Sequence, residues 1–345
     1  MTDTSMIFEA WMGLRGSGLH ALELAERLEV PECGMLASAL GREGGPEVRR
    51  LDGDWQKLVA RLPALGHVKA ITRNLNSVIE VEGVYADVEF FGPVMGQSLG
   101  TIDLRLFMNR WKHGYAVREE TKRGVSRSLQ FFDATGRALH KLYLRPASDA
   151  AAYDAIVGDF LAAEQIAPAS FAAPDVPEPV KPDSEVDVEA FRADWRALKD
   201  THEFFMILRK HGLARTQALR LGGDELTTKV PVTAPDSLLR IAADRGVPLM
   251  CFVGNKGVIQ IYSGPVKRVI AKDAWLNVLD PGFDLHIRQD RIAEAWIVRK
   301  PTIDGVVTSL EVYAADGEQM ALFVGKRKPG MAESLGWRDV LAALT

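Results

Sequence analysis

The sequence predicts an α+β fold made of two copies of one structural unit, and three observations predict it. Residues 74–136 align with residues 255–317 at a constant offset of 181 positions. In each half, helical segments come first, and segments rich in β-branched and aromatic residues follow. A proline-rich stretch lies between the halves. We therefore expect a tandem structural duplication in which each half holds a large antiparallel sheet with flanking helices.

The repeat is visible as identical residues at matched positions. The matched pairs include Asn74 with Asn255, Gly83 with Gly264, Arg110 with Arg291, Thr121 with Thr302, and Gly136 with Gly317. A fixed offset over about sixty residues is the pattern that a duplicated structural unit leaves in a sequence. Both copies are therefore expected to fold in the same way.

The order of elements within each half follows from hydrophobic periodicity. In the first half, LHALELAERLEV has the period of a helix, and the expected strands are HVKAITR, GVYADVEFF, TIDLRLF, GYAVREE, RSLQFFD and ALHKLYLR. In the second half, EFFMILRKHGLARTQALRL is helical, and the expected strands are LMCFVG, GVIQIYSG, AWIVRKP, VTSLEVY and MALFVGKR. DATG and AADG are turn signals between paired strands. Because helices and strands are segregated, the pattern favours α+β over a parallel α/β fold.

The junction between the halves is also predicted. Residues 166–185, IAPASFAAPDVPEPVKPDSE, contain five prolines and little periodicity. Proline removes a backbone donor and favours extended chain, so this stretch is expected to be an exposed linker. We predict a first repeat over residues 1–165, a linker over 166–190 and a second repeat over 191–345.

The composition argues against several classes of protein. The 345 residues carry a formal net charge of −4, which gives no indication of a nucleic-acid-binding surface. The first residues lack the basic segment and apolar core of a secretory signal, and no apolar run approaches the roughly 20 residues of a membrane span. Cys33 and Cys251 are isolated from each other. These features favour a cytoplasmic location.

Standard catalytic motifs are missing from the sequence. It contains no GxxxxGK[ST], GxSxG or HExxH pattern, and its seven histidines do not have the spacing of zinc ligands. It also shows no flavin or nicotinamide site, so the electrons for any redox reaction would come from outside the chain.

The segment DTHEFFMIL, residues 200–208, places His202 at the start of an apolar stretch. Read as a helix, His202 shares a stripe with Trp195, Leu198, Phe205 and Met206. One interpretation is a core histidine bonded to a backbone carbonyl. The other is a single axial ligand to the metal of a large apolar cofactor such as haem. The residues alone leave both interpretations open.

One strand of the first half has an unusual polar face. In TIDLRLF, alternation places Asp103, Arg105 and Phe107 on one face and three aliphatic residues on the other. This face is either solvated, with an Asp103–Arg105 pair, or part of a binding site. The repeat places His286 at the position of Arg105, so the two halves differ there.

Two segments of the second half concentrate positive charge near strand ends. VRKPT (298–302) and VGKRKPG (324–330) contain Arg299, Lys300, Lys326, Arg327 and Lys328. Arg215, which follows His202 in the helical segment, could join them. The cluster is either a basic rim in contact with solvent or a site for carboxylates.

These segments together resemble one protein family. The second half contains DTHEFFMILRKHGLARTQALRL, FVGNKGVIQIYSGPV, WLNVLDPGFDLHIR, VRKPTIDGVVTSLEVY and GKRKPG, and the first contains DLRLF, WKHGYAV and RSLQFFDATGRALHKLYLRPAS. They resemble the cytoplasmic haem-utilisation proteins of Gram-negative bacteria, the HemS/ChuS (hemin-degrading factor) family. The resemblance extends from about residue 20 to about residue 340.

The resemblance implies a binding site as well as a fold. It implies haem b in a cleft between two similar halves, with His202 as the proximal iron ligand and Arg105 as the distal residue. The further implied contacts are Arg215, Lys300 and Arg327 for the propionates and Phe107 and Phe252 for the apolar walls. One haem per chain is expected, because the first half has Leu19 where His202 aligns. Tyr262 departs from the family pattern, in which a histidine is expected.

Three functions are compatible with these observations. A carrier would accept haem from an inner-membrane importer and deliver it to a haem oxygenase for iron acquisition. A haem-degrading enzyme would itself open the macrocycle with O2 and an external electron donor. A structural or regulatory protein without haem would keep His202 in its core. The missing reductant site and the single, exchangeable ligand favour the carrier.

Overall fold

The structure is a computed structural model that describes residues 4–122, 124–176, 179–328 and 330–345. Within these ranges the first repeat begins with helices and continues with a series of strands and a closing helix. Its elements are α1 (Thr4–Leu14), α2 (Ala21–Arg27), α3 (Glu32–Ala37), β1 (Glu47–Leu51), α4 (Trp55–Val59), β2 (Gly66–Arg73), β3 (Ser77–Gly83), β4 (Glu89–Phe91), β5 (Met95–Ser98), β6 (Asp103–Phe107), β7 (His113–Thr121), β8 (Gly124–Phe132), β9 (Ala138–Ser148) and α5 (Ala150–Asp159).

The second repeat has the same order of elements. They are α6 (Val188–Arg196), α7 (Phe204–His211), α8 (Arg215–Leu221), β10 (Thr227–Val230), α9 (Ala234–Arg245), β11 (Leu249–Gly254), β12 (Val258–Gly264), β13 (Val269–Lys272), β14 (Trp275–Asp280), β15 (Phe283–Arg288), β16 (Ile292–Thr302), β17 (Gly305–Ala314), β18 (Gln319–Gly325) and α10 (Leu335–Ala342). The predicted duplicated α+β fold is thereby confirmed. In the described ranges, no helix combines the length and the apolarity that a membrane crossing requires.

The chain divides into two compact units. Unit 1 comprises the chain up to Arg73 together with Glu80–Asp175 and Gly254–Gln260. Unit 2 comprises Asn74–Ile79, Val176–Val253 and Ile261–Thr345. Each unit thus includes a short segment from the other half of the sequence. In the predicted linker, Pro177 and Glu178 lie outside the described residues, and α6 already begins at Val188.

Unit 1 is organised around an antiparallel run of strands in the order β1-β7-β8-β9-β2. A second antiparallel ladder joins β4, β5 and β6. Trp55 and Trp111 pack against Phe131 of β8, with ring centroids 5.8 and 4.7 Å away. Leu104 and Leu106 of β6 contribute to the same buried core. This core fixes the face on which Arg105 lies.

Unit 2 repeats this arrangement with the order β10-β16-β17-β18-β11. Strands β13, β14 and β15 form its second ladder. The helices α6, α7 and α8 pack against the long run through an aromatic core that includes Phe191, Trp195, Phe204 and Trp296. The three helices at the start of the second repeat therefore cover one face of this sheet.

Two asparagines show that the duplication extends to individual hydrogen bonds. In unit 1, the Asn255 side chain accepts from the backbone N–H groups two and three residues ahead and donates to the Leu139 carbonyl. In unit 2, Asn74 accepts from the same two positions ahead of it and donates to the Met320 carbonyl. Both Asn74 with Asn255 and Leu139 with Met320 are separated by the repeat offset of 181. The duplication therefore preserves a turn and its anchor.

Replacing Asn255 by alanine tests the importance of this anchor. We expect N255A to lower the free energy of unfolding by about 2 kcal/mol, because it leaves turn amides and a carbonyl without partners. Urea unfolding monitored by circular dichroism measures the change. N109A, which removes an exposed asparagine in unit 1, should change the stability by less than about 0.5 kcal/mol. Equal effects of the two substitutions would show that the anchor contributes nothing specific.

Candidate functional site

His202 lies in a short 3-10 turn, Thr201–Glu203, between two helices. Helix α6 ends at Arg196 and α7 begins at Phe204. The Asp200 side chain caps the turn by accepting from the His202 backbone N–H at 2.8 Å. The Glu203 side chain returns to accept from the Asp200 backbone N–H at 3.3 Å. This reciprocal capping box is what the sequence D-T-H-E favours, and it separates the two helices.

The expected continuous stripe around His202 is wrong. The His202 side chain is 90 % exposed, whereas Trp195 is fully buried and packs on Phe204, with ring centroids 4.4 Å apart. Phe205 and Met206 are 61 and 59 % exposed. Because the capped turn interrupts the helical period, Phe204 rather than His202 follows Trp195 into the core. Leu198 is buried as well. His202 is exposed, so the interpretation of His202 as a core histidine is wrong.

The imidazole of His202 is held by the same carboxylate that caps the turn. Its Nδ1 lies 2.6 Å from Asp200 Oδ1. The hydrogen bonds from the His202 backbone and ring hold the pKa of the Asp200 carboxyl below its usual range. An ionised carboxylate only accepts hydrogen bonds, so Nδ1 is the donor, and in the neutral ring the lone pair is therefore on Nε2. A carboxylate on the second ring nitrogen is the usual support of a metal-ligating histidine.

This arrangement fits an axial ligand to haem. The imidazole is accessible, its Nδ1 is held by Asp200, and Phe205 and Met206, three and four positions further along the chain, expose apolar surface. Exposed apolar side chains next to a metal-binding group suit a flat apolar cofactor with a metal at its centre.

Arg215 and Lys300 are brought together in unit 2 by Glu311, which the sequence analysis missed. Glu311 has no exposed side-chain surface. Its carboxylate accepts from Arg215 Nε at 2.9 Å and Nη2 at 2.8 Å, and from Lys300 Nζ at 3.2 Å. Tyr313, Ser309 and Gln319 also donate to it. Lys300 comes from β16, Glu311 from β17, and Arg215 from the first position of α8.

The cluster carries surplus positive charge. Burial opposes ionisation of Glu311, but Arg215 and Lys300 outweigh it and hold the pKa of this carboxyl well below its usual range. Burial lowers the pKa of Lys300 to about 8, against the opposing effect of Glu311. Two cations therefore share one carboxylate at neutral pH. Both also contact the ring of Phe204, at 5.3 Å for Arg215 and 4.8 Å for Lys300.

Arg327 and Phe252 occupy other parts of unit 2. Arg327 Nη1 donates to the Met331 carbonyl at 2.8 Å and lies 3.4 Å from Asp304 Oδ2. Its charge also contributes to the lowered pKa of Asp200. Phe252 is half-buried on β11. Pro329, in the basic segment after Arg327, lies outside the described residues.

Arg105 and Phe107 belong to unit 1. The predicted alternation along β6 is confirmed, because Leu104 and Leu106 are buried while the intervening residues are partly exposed. Arg105 donates to Asp103 at 2.5 Å and to the Leu104 carbonyl at 3.1 Å. Burial raises the pKa of the Asp103 carboxyl, although Arg105 opposes this effect. The Asp103–Arg105 pair that was one interpretation of this face is therefore present.

The face that carries Arg105 and Phe107 also includes residues that the sequence analysis missed. The antiparallel register sets Gln97 opposite Arg105 and Met95 opposite Phe107. Phe91 lies opposite Met95. Directly opposite residues share one face of a sheet, and Phe91 and Met95 are exposed apolar side chains. Strands β4 and β5 have only 3 and 4 residues, too few to show a period in the sequence.

Tyr262, which departs from the family pattern, and His286, which replaces Arg105 in the second repeat, both have local partners in unit 2. Tyr262 stacks on Phe283, with ring centroids 3.5 Å apart and planes at 4°, and its hydroxyl donates to the Pro265 carbonyl at 2.7 Å. His286, at the repeat position of Arg105, lies 2.7 Å from Asn277 through its Nδ1. Both side chains are therefore engaged in packing or hydrogen bonding within unit 2.

Comparison with known proteins identifies the family. The family model described as the haemin-degrading HemS.ChuX domain matches residues 29–160 and 212–344. The chain belongs to the HemS/ChuX family. His202 lies between the two matched segments, so the family model itself does not include this residue.

Two relatives and two solved structures extend the similarity over nearly the whole chain. Hemin transport protein HemS of Yersinia enterocolitica is 40% identical over 346 residues, covering 98% of this chain and 97% of that protein. HmuS of Yersinia pestis is 40% identical over 95% of this chain and 93% of its own. Holo-PhuS, a heme-binding protein from Pseudomonas aeruginosa, is 41% identical with a TM-score of 0.95, covering 99% of both chains. The heme degrading enzyme ChuS of Escherichia coli O157:H7 is 35% identical with a TM-score of 0.91, also covering 99% of both chains.

Replacing Asp200 by asparagine tests the support of His202. Asparagine is an equally good cap, so we expect stability to change by less than about 0.5 kcal/mol. Haemin affinity should fall about 10-fold, and the reduction potential of the bound iron should rise, because a less basic imidazole stabilises ferric iron less. Haemin titration and spectroelectrochemistry measure these effects. D194N is the matched control, because Asp194 accepts from His211 at 2.6 Å in the same unit. Affinity and potential equal to those of the unmodified chain would contradict a role for Asp200.

Proposed function

We propose that this chain binds one haem b with His202 Nε2 as the proximal iron ligand. The observation that carries the proposal is the exposed imidazole whose Nδ1 is held by Asp200. Neighbouring Phe205 and Met206 offer apolar surface for the macrocycle. Near full-length similarity to proteins described as hemin transport or heme-binding proteins supports haem as the bound group.

The remaining contacts follow from charge and polarity. Arg215 and Lys300 keep hydrogen-bond donors beyond those used by Glu311, so they can bind the propionates, and Arg327 is proposed as a further propionate contact. Phe252 is proposed as an apolar wall. Arg105 is proposed as the distal residue and Phe107 as an apolar contact. A guanidinium cannot ligate iron, but it can donate hydrogen bonds to a group on the distal side.

Haem transfer is the function that this ligand set supports best. In this proposal the protein is cytoplasmic. It receives haem from an inner-membrane importer and delivers it to a haem oxygenase for iron acquisition. A single histidine on an exposed turn can release its ligand without unfolding a core. The 40% identity to hemin transport proteins supports this reading.

Haem degradation by the chain itself is the second candidate. The similarity to ChuS, described as a heme degrading enzyme, favours it, and so does the presence of hydrogen-bond donors on Arg105. Haem would supply the iron at which O2 reacts, and the electrons would come from an external donor.

Replacing His202 by alanine tests the ligand. We expect at least about 10-fold weaker haemin binding and a displaced Soret band, because the iron loses its imidazole or moves to another group. Haemin titration followed by absorbance measures both. H20A is the control, since His20 is an exposed histidine next to Leu19, the residue that aligns with His202 in the first repeat, and H20A should bind haemin as the unmodified chain does. An unchanged spectrum and affinity in H202A would refute the assignment.

An assay that supplies electrons to the haem-loaded protein distinguishes the carrier function from the haem-degrading function. Holo-protein is mixed with a reductase, its reductant and catalase in air, with and without an added haem oxygenase. We expect biliverdin-like product and free iron only when the oxygenase is present. Catalase is required because peroxide degrades bound haem without an enzyme. Product formation without the oxygenase would instead establish the degrading activity.

A further inference from the structure

The carboxylate of Glu311 is an unusual centre for a site proposed to bind carboxylates. It is completely buried and lies between Arg215 and Lys300, the two side chains proposed to contact the propionates. An anion placed at such a site repels incoming anions, and burying any charged group costs free energy. The presence of a buried carboxylate at position 311 therefore requires a structural or functional explanation.

The first repeat shows that the fold does not require this carboxylate. Gln130 stands at the position of Glu311, and it donates to Ser128 at 3.1 Å. In unit 2, the equivalent Ser309 donates to Glu311. A neutral amide thus occupies the same place on the equivalent strand. The requirement for charge at position 311 comes from its partners rather than from the strand.

The charge at the first position of the neighbouring helix also differs in sign between the repeats. Helix α3 begins at Glu32, as α8 begins at Arg215. Glu32 pairs with Lys141 of β9, which corresponds to β18 rather than to β17, so in unit 1 the helix supplies the carboxylate and a strand supplies the cation. The pairing of a guanidinium at this helix start with a carboxylate at position 311 therefore belongs to the second repeat and is not copied in the first.

The contacts of Glu311 explain what the charge does. Two parallel hydrogen bonds fix the guanidinium plane of Arg215, and Tyr313 accepts from Arg215 Nε at 2.8 Å. Arg215 Nη1 and two of the three Lys300 protons are not used by Glu311. An anion can therefore bind both cations while Glu311 stays in place.

We propose that Glu311 is the positioning residue of the propionate site, which orients Arg215 and anchors the Lys300 ammonium so that both grip the carboxylates of haem. This inference rests on the proposed function and adds to it a residue that does not touch the ligand. Glu311 acts through the two cations, and its removal would weaken the binding of charged haem while sparing the apolar contacts.

The charge of Lys300 gives the proposal a pH signature. Lys300 faces Glu311 of β17, Arg215 of α8 and the ring of Phe204 of α7. Burial and Arg215 lower its pKa, and Glu311 raises it, with a result of about 8. Lys300 thus attracts propionates below about pH 8 and loses this attraction as the pH rises through that value. Without Glu311 the loss begins at lower pH.

The experiment compares haemin with haemin dimethyl ester, which lacks the two carboxylates. Dissociation constants for both are measured between pH 6 and 10 in the same detergent. Because the two porphyrins share the same iron, the ratio of their affinities cancels any pH dependence of the iron–histidine bond. The chains compared are the unmodified protein, E311Q and the control E333Q. Glu333 is also buried, but it binds the Thr308 backbone and Arg338 instead.

We expect the preference for haemin over its ester to fall with a midpoint near pH 8 in the unmodified chain. In E311Q the midpoint should move down by about one unit, and haemin binding at pH 7.5 should weaken about 10-fold with little change for the ester. E333Q should match the unmodified chain. An unshifted midpoint in E311Q, or a preference independent of pH, would overturn the inference.

Two further results keep this test decisive. If the unmodified chain binds neither porphyrin, the proposed function fails before the inference is reached. If E311Q does not fold, E311D replaces it, because it keeps the charge but withdraws it from Lys300 by one methylene. E311D should move the midpoint in the same direction by a smaller amount, and an unchanged midpoint would overturn the inference.

Discussion

The hydrogen bond between Asp200 and Nδ1 of His202 is the interaction on which the proposed function depends. The same carboxylate caps the turn and fixes the tautomer of the ring, so the local fold and the metal chemistry are set by one group. The turn also explains why an apolar sequence ends in an accessible imidazole. Phe204 enters the core, and His202, Phe205 and Met206 remain outside it.

The charge cluster of Arg215, Lys300 and Glu311 is the second feature on which the proposed haem site depends. A flat apolar ligand with two carboxylates needs cations that are fixed in place and stay protonated. Arginine meets the second requirement by itself, but a buried lysine does not. A nearby carboxylate stabilises the protonated lysine and leaves the pair with one surplus positive charge.

The fold was largely predictable from the sequence, because the offset of 181 and the alternating segments report on local structure. The exchange of segments between the units was not predictable. Equal spacing shows that Asn74 and Asn255 are equivalent, but it does not show that each belongs to the unit built mainly from the other half. A repeat in sequence defines copies, whereas contacts define units.

The site was predictable only in part. The D-T-H-E capping box was a readable signal for the turn at His202, but the apolar residues around it favoured a continuous helix, and that prediction was wrong. Glu311 was visible as the one charge in the apolar run TSLEVY. Its importance depends on partners more than ten residues away in sequence, which periodicity cannot identify. Met95 and Phe91 were hidden in strands too short to alternate visibly.

A crystal structure of the chain with bound haemin tests the central claim most directly. The account predicts iron at bonding distance from Nε2 of His202, with Nδ1 still hydrogen-bonded to Asp200. Iron ligated by a different residue, with the imidazole of His202 left in solvent, would contradict it.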